Sequence, residues 1–255
     1  MRPSRLFLAI SFFPLFTSAA LATEDDEPAR VENPPAISFA FETDFASRYV
    51  WRGFALSDGP VMQPEASVSA YGLTATVWSN FVLNDEPGQG RFNEVDPSLD
   101  YRGRWGKLEF EPSFEFYLYP NQTNAPSTAE LSLWLGYPVG PVTLFTDHVF
   151  DVKEFAGAYY GVFGVDYERE LVKKLTLETS GSLGWASGKF NGAYGGDADA
   201  ALNVFLWDLQ AVYFPIPWFY LRPHMQVSVL LDSGLRRAAA DPAIVSGGLA
   251  LGVSF

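Results

Sequence analysis

The sequence contains no cysteine and only two histidines, and this scarcity excludes several kinds of site. A chain without cysteine has no disulfides, no thiol nucleophile and no cysteine-based zinc site. Basic residues are also few, because 17 lysines and arginines stand against 30 aspartates and glutamates, a formal charge of −13. Such a chain lacks the positive surface that attracts nucleic acid, so we expect no nucleic-acid partner.

Long apolar runs are missing as well. Beyond residue 22 no stretch reaches the roughly 18 apolar residues that a membrane-spanning helix needs. The longest candidate, residues 205–221, is interrupted by Asp208, Gln210, Pro215 and Pro217. Since 48% of the residues are nevertheless hydrophobic and 16% aromatic, the apolar side chains must follow another pattern.

The N-terminus has the layout of a secretory signal peptide. Arg2 and Arg5 precede an apolar stretch over residues 6–16, and Ala20 and Ala22 supply the small residues of a cleavage site. The apolar stretch is too short to span a bilayer. We therefore predict a cleaved signal peptide at 1–22, followed by an acidic, proline-rich periplasmic segment at 23–35.

From residue 36 onward the hydrophobicity alternates with a period of two, which is typical of β-strands. The stretch 108–118 illustrates this pattern, with apolar residues on one face and acidic or polar residues on the other. The apolar set is Leu108, Phe110, Phe114, Phe116 and Leu118, and the polar set is Glu109, Glu111, Ser113 and Glu115. Strands of about 9–11 residues with many aromatic side chains match the dimensions of outer-membrane strands.

Twelve such strands are predicted, at 36–52, 62–71, 73–84, 93–102, 106–119, 127–137, 141–151, 157–168, 174–187, 198–213, 218–231 and 243–255. Short connections at 71–72, 103–105, 138–140, 169–173 and 214–217 alternate with longer polar ones. This asymmetry is typical of outer-membrane barrels. The sequence thus predicts an all-β fold, an antiparallel transmembrane β-barrel of about 12 strands over residues 36–255, in the cell outer membrane. A soluble periplasmic β-protein is the alternative.

The C-terminal residues give independent support. Leu249, Leu251, Val253 and Phe255 share one face of the last predicted strand. A final strand that pairs with the first leaves no open edge in lipid. The spacing also resembles the signal that the barrel-assembly machinery reads, so this machinery is an expected partner, along with outer-membrane lipid and lipopolysaccharide.

The polar faces of the strands are predicted to line the lumen. Their acidic members are Glu42, Asp44, Glu65, Glu94, Asp96, Asp100, Glu109, Glu111, Glu115, Glu130, Asp166 and Glu178, and their basic members are Arg48, Arg52, Arg102 and Arg222. Buried charges need water or partners. Two interpretations follow: a porin-like channel for small solutes or ions, in which an acidic excess favours cations, or a non-conducting adaptor barrel filled by salt bridges.

A barrel hydrolase is disfavoured by the two histidines. Neither His148 nor His224 belongs to a His-x-Ser pair, and Ser228 is four residues from His224, about 13 Å along a strand. Asp147 and His148 are adjacent and therefore point to opposite faces. No spacing indicates a metal site or a cofactor site, and we expect neither. The Arg236-Arg237 pair is a candidate contact for lipopolysaccharide phosphates.

The segment Ser47-Arg48-Tyr49-Val50-Trp51-Arg52-Gly53 resembles a Ser-x-Tyr-x-x-Arg-Gly segment of the TorF-type porin family of proteobacteria. Further similarity lies at residues 60–64, at Trp78-Ser79-Asn80 and at residues 93–96, all within about 40–120. Pro64-Glu65 departs from the small residues usual there. The resemblance implies an outer-membrane barrel and a porin function, without a substrate.

Overall fold

The computed structural model describes residues 37–84 and 89–255. The predicted signal peptide at 1–22 and the periplasmic segment at 23–35 lie outside these residues, so both stay predictions. No helix within the described ranges is long and apolar enough to cross a membrane.

The described residues form fifteen strands and two short helices. The strands are β1 Ser38–Ala46, β2 Val50–Trp51, β3 Phe54–Ala55, β4 Val61–Ala70, β5 Leu73–Val82, β6 Phe92–Tyr101, β7 Gly103–Trp105, β8 Leu108–Tyr117, β9 Thr128–Val139, β10 Val142–Asp151, β11 Tyr159–Val172, β12 Leu175–Ala186, β13 Ala201–Ile216, β14 Phe219–Leu230 and β15 Ala243–Ser254. The helices are α1 Gly188–Tyr194 and α2 Ser233–Ala238.

The main sheet closes on itself. The wall strands pair antiparallel in the order in which they follow along the chain, and β1 pairs with both β4 and β15. Strands β6 and β7 form one wall strand interrupted at Arg102, because both pair with β8. The short pair β2–β3 forms a separate two-stranded sheet. The prediction of a 12-stranded antiparallel barrel is thereby confirmed.

The two ends of the barrel differ. One end, here called the turn end, has two-residue connections at 71–72, 106–107, 140–141, 173–174 and 217–218. Tyr71 and Gly72 both have positive φ, 54° and 84°, which two-residue hairpins of the right twist require. The opposite end, the loop end, carries the long connections. The predicted turn at 169–173 is wrong in extent, because β11 continues to Val172.

The first predicted strand, 36–52, is also wrong in extent. Strand β1 ends at Ala46, and residues 47–60 leave the wall as a segment that contains the β2–β3 hairpin. Arg52 (φ 45°) and Gly53 (φ 92°) both adopt left-handed backbone and form the hairpin turn. The alternating pattern of this stretch therefore belongs to two separate elements. The helices α1 and α2 lie within connections that were predicted to be loops.

The wall has an apolar outer face and a polar inner face. On β1, Phe39, Phe41 and Phe45 are 45–50% exposed, whereas Glu42 between them is only 5% exposed. A soluble sheet has the opposite arrangement, with apolar side chains covered and charges in water. Outward rows of exposed aromatic and aliphatic side chains recur on every wall strand pair, as a lipid-facing barrel requires.

The seam where the chain closes depends on small residues of β15. Gly252 lies opposite Glu42 of β1 and opposite Tyr220 of β14. Because Gly252 has no side chain, the Tyr220 hydroxyl reaches across β15 and donates to Glu42 at 2.8 Å. A Cβ atom at Gly252 would stand 2.1 Å from Tyr220 Cζ.

We expect Gly252→Ala to destabilise the barrel by about 1–3 kcal/mol, because the added methyl forces Tyr220 away from Glu42. Gly181→Ala is the matched control, since nothing lies within 4 Å of a Cβ built there. The measurement is urea unfolding followed by gel migration of unboiled samples. Equal midpoints for the two variants would contradict the role assigned to the seam.

Candidate functional site

The barrel interior is the candidate site, and most of the predicted lumen residues lie on its inner face. Cross-strand register places Glu42 opposite Glu65, Thr74 opposite Asp100, and Glu115 opposite both Ser98 and Glu130. The buried members are Arg52, Glu42, Glu65, Glu94, Asp96, Glu111, Glu130 and Arg222. The half-buried members are Asp44, Asp100, Arg102, Glu109, Glu115, Asp166 and Glu178.

A polar network crosses the seam where the barrel closes, from β1 through β14 and β13 to β12. The Arg222 guanidinium donates to both carboxylate oxygens of Glu42, with Nε–Oε2 at 3.2 Å, and to Gln210 Oε1 at 2.9 Å. Gln210 in turn donates to Glu178. The network therefore joins the first strand to the closing strands, and it satisfies an ion pair whose side chains are 10% and 4% exposed.

The two histidines occupy opposite faces of the wall. His224 lies inside and its Nε2 is 2.9 Å from Asp44 Oδ1, across Gly248 of β15. His148 lies outside, where its Nδ1 is 2.9 Å from the Tyr159 hydroxyl. Within the described part of the chain, neither histidine hydrogen-bonds to a serine. The geometry therefore offers no histidine-activated serine nucleophile among these residues.

The β2–β3 hairpin folds into the loop end of the barrel. Tyr49 N donates to Ser57 Oγ at 2.8 Å and Leu56 N donates to Tyr49 O at 2.7 Å, which closes the base of the hairpin. At its tip, a Cβ atom on Gly53 would stand 2.8 Å from Val204 of β13 and 2.9 Å from Leu230 of β14. Glycine is therefore required at this position both by its positive φ and by the close approach to the wall.

Arg52, at the hairpin tip, reaches the wall opposite β1. Its Nη1 and Nη2 atoms donate to the two carboxylate oxygens of Glu130 on β9, at 3.1 and 3.0 Å. Its Cζ lies 4.6, 4.5 and 5.2 Å from the ring centroids of Trp51, Tyr160 and Phe190. The side chain is 1% exposed, so the guanidinium is enclosed by one carboxylate and three aromatic faces.

The surroundings of Arg52 keep it charged. Burial lowers the pKa of its guanidinium, but Glu130, Tyr117 and Tyr160 together more than offset this, so the pKa lies above its ordinary value. The Tyr117 hydroxyl lies between two carboxylates, 3.0 Å from Glu130 Oε2 and closer to Glu115 Oε2. These donors compensate the repulsion expected between Glu130 and Glu115, which lie directly opposite each other.

An apolar cluster surrounds this ion pair and fills the loop end. It combines hairpin, wall and connection residues, among them Trp51, Tyr160, Phe190, Val204, Leu230 and Leu235. Helix α1 brings Phe190 and Tyr194 within 5.6 and 5.2 Å of the Trp51 ring. Reciprocal amide bonds between Asn191 and Asn203 fix α1 to β13. The loop end is thus packed like a protein core, whereas the inner face nearer the turn end is polar.

Arg48 lies elsewhere than its predicted place on a lumen-facing strand. It belongs to the segment after β1, where its Nη1 donates to Asp241 Oδ2 at 2.7 Å. Asp58 lies 3.9 Å from its Nη2. Arg48 therefore ties the base of the hairpin to the β14–β15 connection at the rim. The strand that was predicted to extend to residue 52 ends at Ala46.

Further inward acids that the prediction missed include Asp147, Asp151 and Asp208. Asp147 lies on the inner face of β10 together with Phe145 and Val149, so that face does not appear polar in the sequence. Asp151 accepts from Thr128 at 2.5 Å and from the backbone N–H of Lys153 at 2.9 Å. Asp208 accepts from Gln226 at 2.9 Å. The sequence could have indicated these acids only through their spacing of two, or a multiple of two, from polar residues on the same strand.

Within residues 37–84 and 89–255, no group of three or more histidine or acidic side chains is placed to hold a metal ion.

Arg236 and Arg237 are exposed in the last turn of α2, at the loop end. The C-terminal residues Leu249, Leu251 and Phe255 are exposed on the outer face. Phe255 also exchanges backbone hydrogen bonds with Phe39, at 2.8 and 3.0 Å.

No protein-family model matches the chain, and no curated protein matches it in sequence. The resemblance to TorF-type porins therefore stays a prediction. Solved structures do match. The NanC porin is similar over 84% of this chain and 98% of its own, with a TM-score of 0.55 and 11% identity. The COG4313 outer membrane channel from Pseudomonas putida F1 is similar over 91% and 100%, with a TM-score of 0.51 and 11% identity. The chain thus has the barrel fold found in these outer-membrane channels.

Proposed function

We propose that this protein is a porin-like channel of the outer membrane that passes small solutes or ions and prefers cations. The observation that carries the proposal is a closed barrel with an apolar outer face and an inner face on which carboxylates far outnumber basic groups. The inner carboxylates accessible to solvent are Asp44, Asp100, Glu109, Glu115, Asp166 and Glu178. Rings of acidic side chains favour cations in a pore.

The outer surface supports the membrane location. Exposed aromatic side chains surround the turn end, namely Tyr71, Tyr101, Trp105, Tyr137, Tyr213 and Trp218. Such girdles mark the interface between hydrocarbon and headgroups in outer-membrane barrels. With the turn end on the periplasmic side, the loop end faces outward and brings Arg236 and Arg237 to the level of lipopolysaccharide phosphates. The outward row that ends at Phe255 is the proposed signal for the barrel-assembly machinery.

The decisive measurement is conductance of the refolded protein in a planar bilayer under a salt gradient. We expect discrete steps and a reversal potential that indicates cation preference. Replacing Glu109, Glu111 and Glu115 together by glutamine should reduce this preference, because three inner-face negative charges are removed. Glu154→Gln is the control, since this glutamate is exposed at the loop end. An unchanged reversal potential in the triple variant would contradict the proposed ion path.

The packed loop end favours a second candidate, a non-conducting barrel that acts as an adaptor through its loops. The inserted hairpin and the core-like cluster around Arg52 both reduce the open cross-section. A folded protein that inserts into the bilayer and passes no current would support this candidate over the channel.

A further inference from the structure

Arg52 occupies a cage that the barrel builds without the hairpin. Glu130 belongs to β9, Tyr117 to β8, Tyr160 to β11 and Phe190 to α1. Only Trp51, the fourth aromatic side chain, comes from the hairpin itself. The hairpin forms its own two-stranded sheet, without a ladder to the wall. The carboxylate and two of the three ring faces around the guanidinium thus come from elements outside the hairpin.

The chemistry of this cage is specific for a planar cation. Glu130 accepts from two nitrogens of one guanidinium, at 3.1 and 3.0 Å, which is a fork geometry that an ammonium ion cannot reproduce. The rings of Tyr160 and Phe190 lie within 4.5 and 5.2 Å of its central carbon. Cation–π attraction is strongest in such desolvated settings. The Tyr117 hydroxyl orients the carboxylate at 3.0 Å.

We propose that this cage, formed by Tyr117, Glu130, Tyr160 and Phe190, is a binding site for small guanidinium-bearing solutes that the chain's own Arg52 occupies as an internal ligand. The cage lies at the loop end, which the orientation proposed above places on the outside of the cell. A solute that binds the cage competes with Arg52 and thereby favours withdrawal of the hairpin. The binding site exists whether or not the barrel conducts, so it goes beyond the proposed channel function.

The test uses Arg52→Ala in the full chain, folded in detergent. This variant removes the guanidinium with two methylene groups, so ethylguanidinium is the matching probe. We expect millimolar ethylguanidinium to raise the unfolding temperature of Arg52→Ala saturably. n-Propylammonium has the same charge without the planar fork, and it should need at least about a tenfold higher concentration for the same shift.

Two controls separate the cage from general ion effects. The wild-type protein should show a much smaller shift, because Arg52 already fills the cage. Arg102→Ala removes an arginine that is paired with Glu111 at 2.6 Å, and the Arg102 side chain is 37% exposed. This variant should respond equally weakly to both cations. Equal shifts for the two probes in Arg52→Ala, or equal ethylguanidinium shifts in all three proteins, would overturn the proposal.

If Arg52→Ala does not fold alone, refolding yield becomes the readout. Ethylguanidinium present during refolding should then restore the fast-migrating unboiled band, while n-propylammonium should not. Absence of rescue by ethylguanidinium would overturn the proposal as well. Neither readout requires current, so a failure of the channel proposal leaves the result of this test interpretable.

Discussion

Replacing Glu130 by alanine is expected to release the inserted hairpin. The substitution leaves Arg52, 1% exposed, as a buried charge without its carboxylate. Breaking a buried ion pair by removing one partner costs about 3–5 kcal/mol. The hairpin reaches solvent by leaving the loop end, so this penalty should appear as local release of the hairpin rather than as unfolding of the wall.

Trypsin provides a direct readout, because Arg52 becomes a cleavage site only when the hairpin is outside the barrel. We expect cleavage after Arg52 in Glu130→Ala and protection in the wild-type protein, followed by mass spectrometry of the fragments. Arg48 is partly exposed at the rim, and cleavage there gives an internal reference for protease activity. The same variant should show larger conductance steps in a bilayer if the channel proposal holds.

Glu111→Ala is the matched control for this prediction. It also removes an inner-face carboxylate from an Arg–Glu pair, but its partner Arg102 is 37% exposed and remains solvated. The hairpin should stay protected in this variant. If Arg52 remained resistant in Glu130→Ala, the ion pair would not hold the hairpin, and the apolar cluster alone would account for its position.

The wall of the barrel was predictable because its physics is repetitive. Alternation on strands such as 108–117 follows from one face in lipid and the other inside, and each strand repeats the same constraint. Short and long connections alternate for the same topological reason. The ends of the strands were harder to predict than their centres. In β11, Arg169 and Glu170 are polar, yet they continue the pairing with β12 beyond the apolar part of the strand.

The packed hairpin at the loop end was not predictable in the same way. The period-two pattern continues through residues 47–55, but there it belongs to a hairpin that packs against strands distant in the sequence. The contact that fixes it, between Arg52 and Glu130, joins residues 78 positions apart. Nothing local in the sequence distinguishes an arginine on a wall strand from one carried into the lumen. The segment Ser47 to Gly53, on which the resemblance to TorF-type porins rests, overlaps the first half of this hairpin.

Arg222→Met is expected to have a comparably large effect on the wall itself. Glu42 has a side chain only 4% exposed, and without Arg222 it keeps the Tyr220 hydroxyl as a donor, 2.8 Å away. The uncompensated charge should cost about 3–5 kcal/mol, and it lies at the seam where β1 meets β15. We therefore expect a lower urea midpoint and a lower refolding yield.

The double variant Glu42→Gln/Arg222→Met tests the cause of that loss. Glutamine keeps an acceptor for Tyr220 but carries no charge, so the buried polar site is again satisfied. Replacing both members of a buried ion pair is often neutral, whereas removing one member is not. The double variant should therefore be more stable than Arg222→Met alone. Arg48→Met, at a pair whose side chains are 29% and 43% exposed, should cost only about 0–1 kcal/mol. The double variant could instead be the least stable protein of the set. The Glu42–Arg222 ion pair would then itself stabilise closure of the barrel, and the unpaired charge of Glu42 would not explain the instability of Arg222→Met.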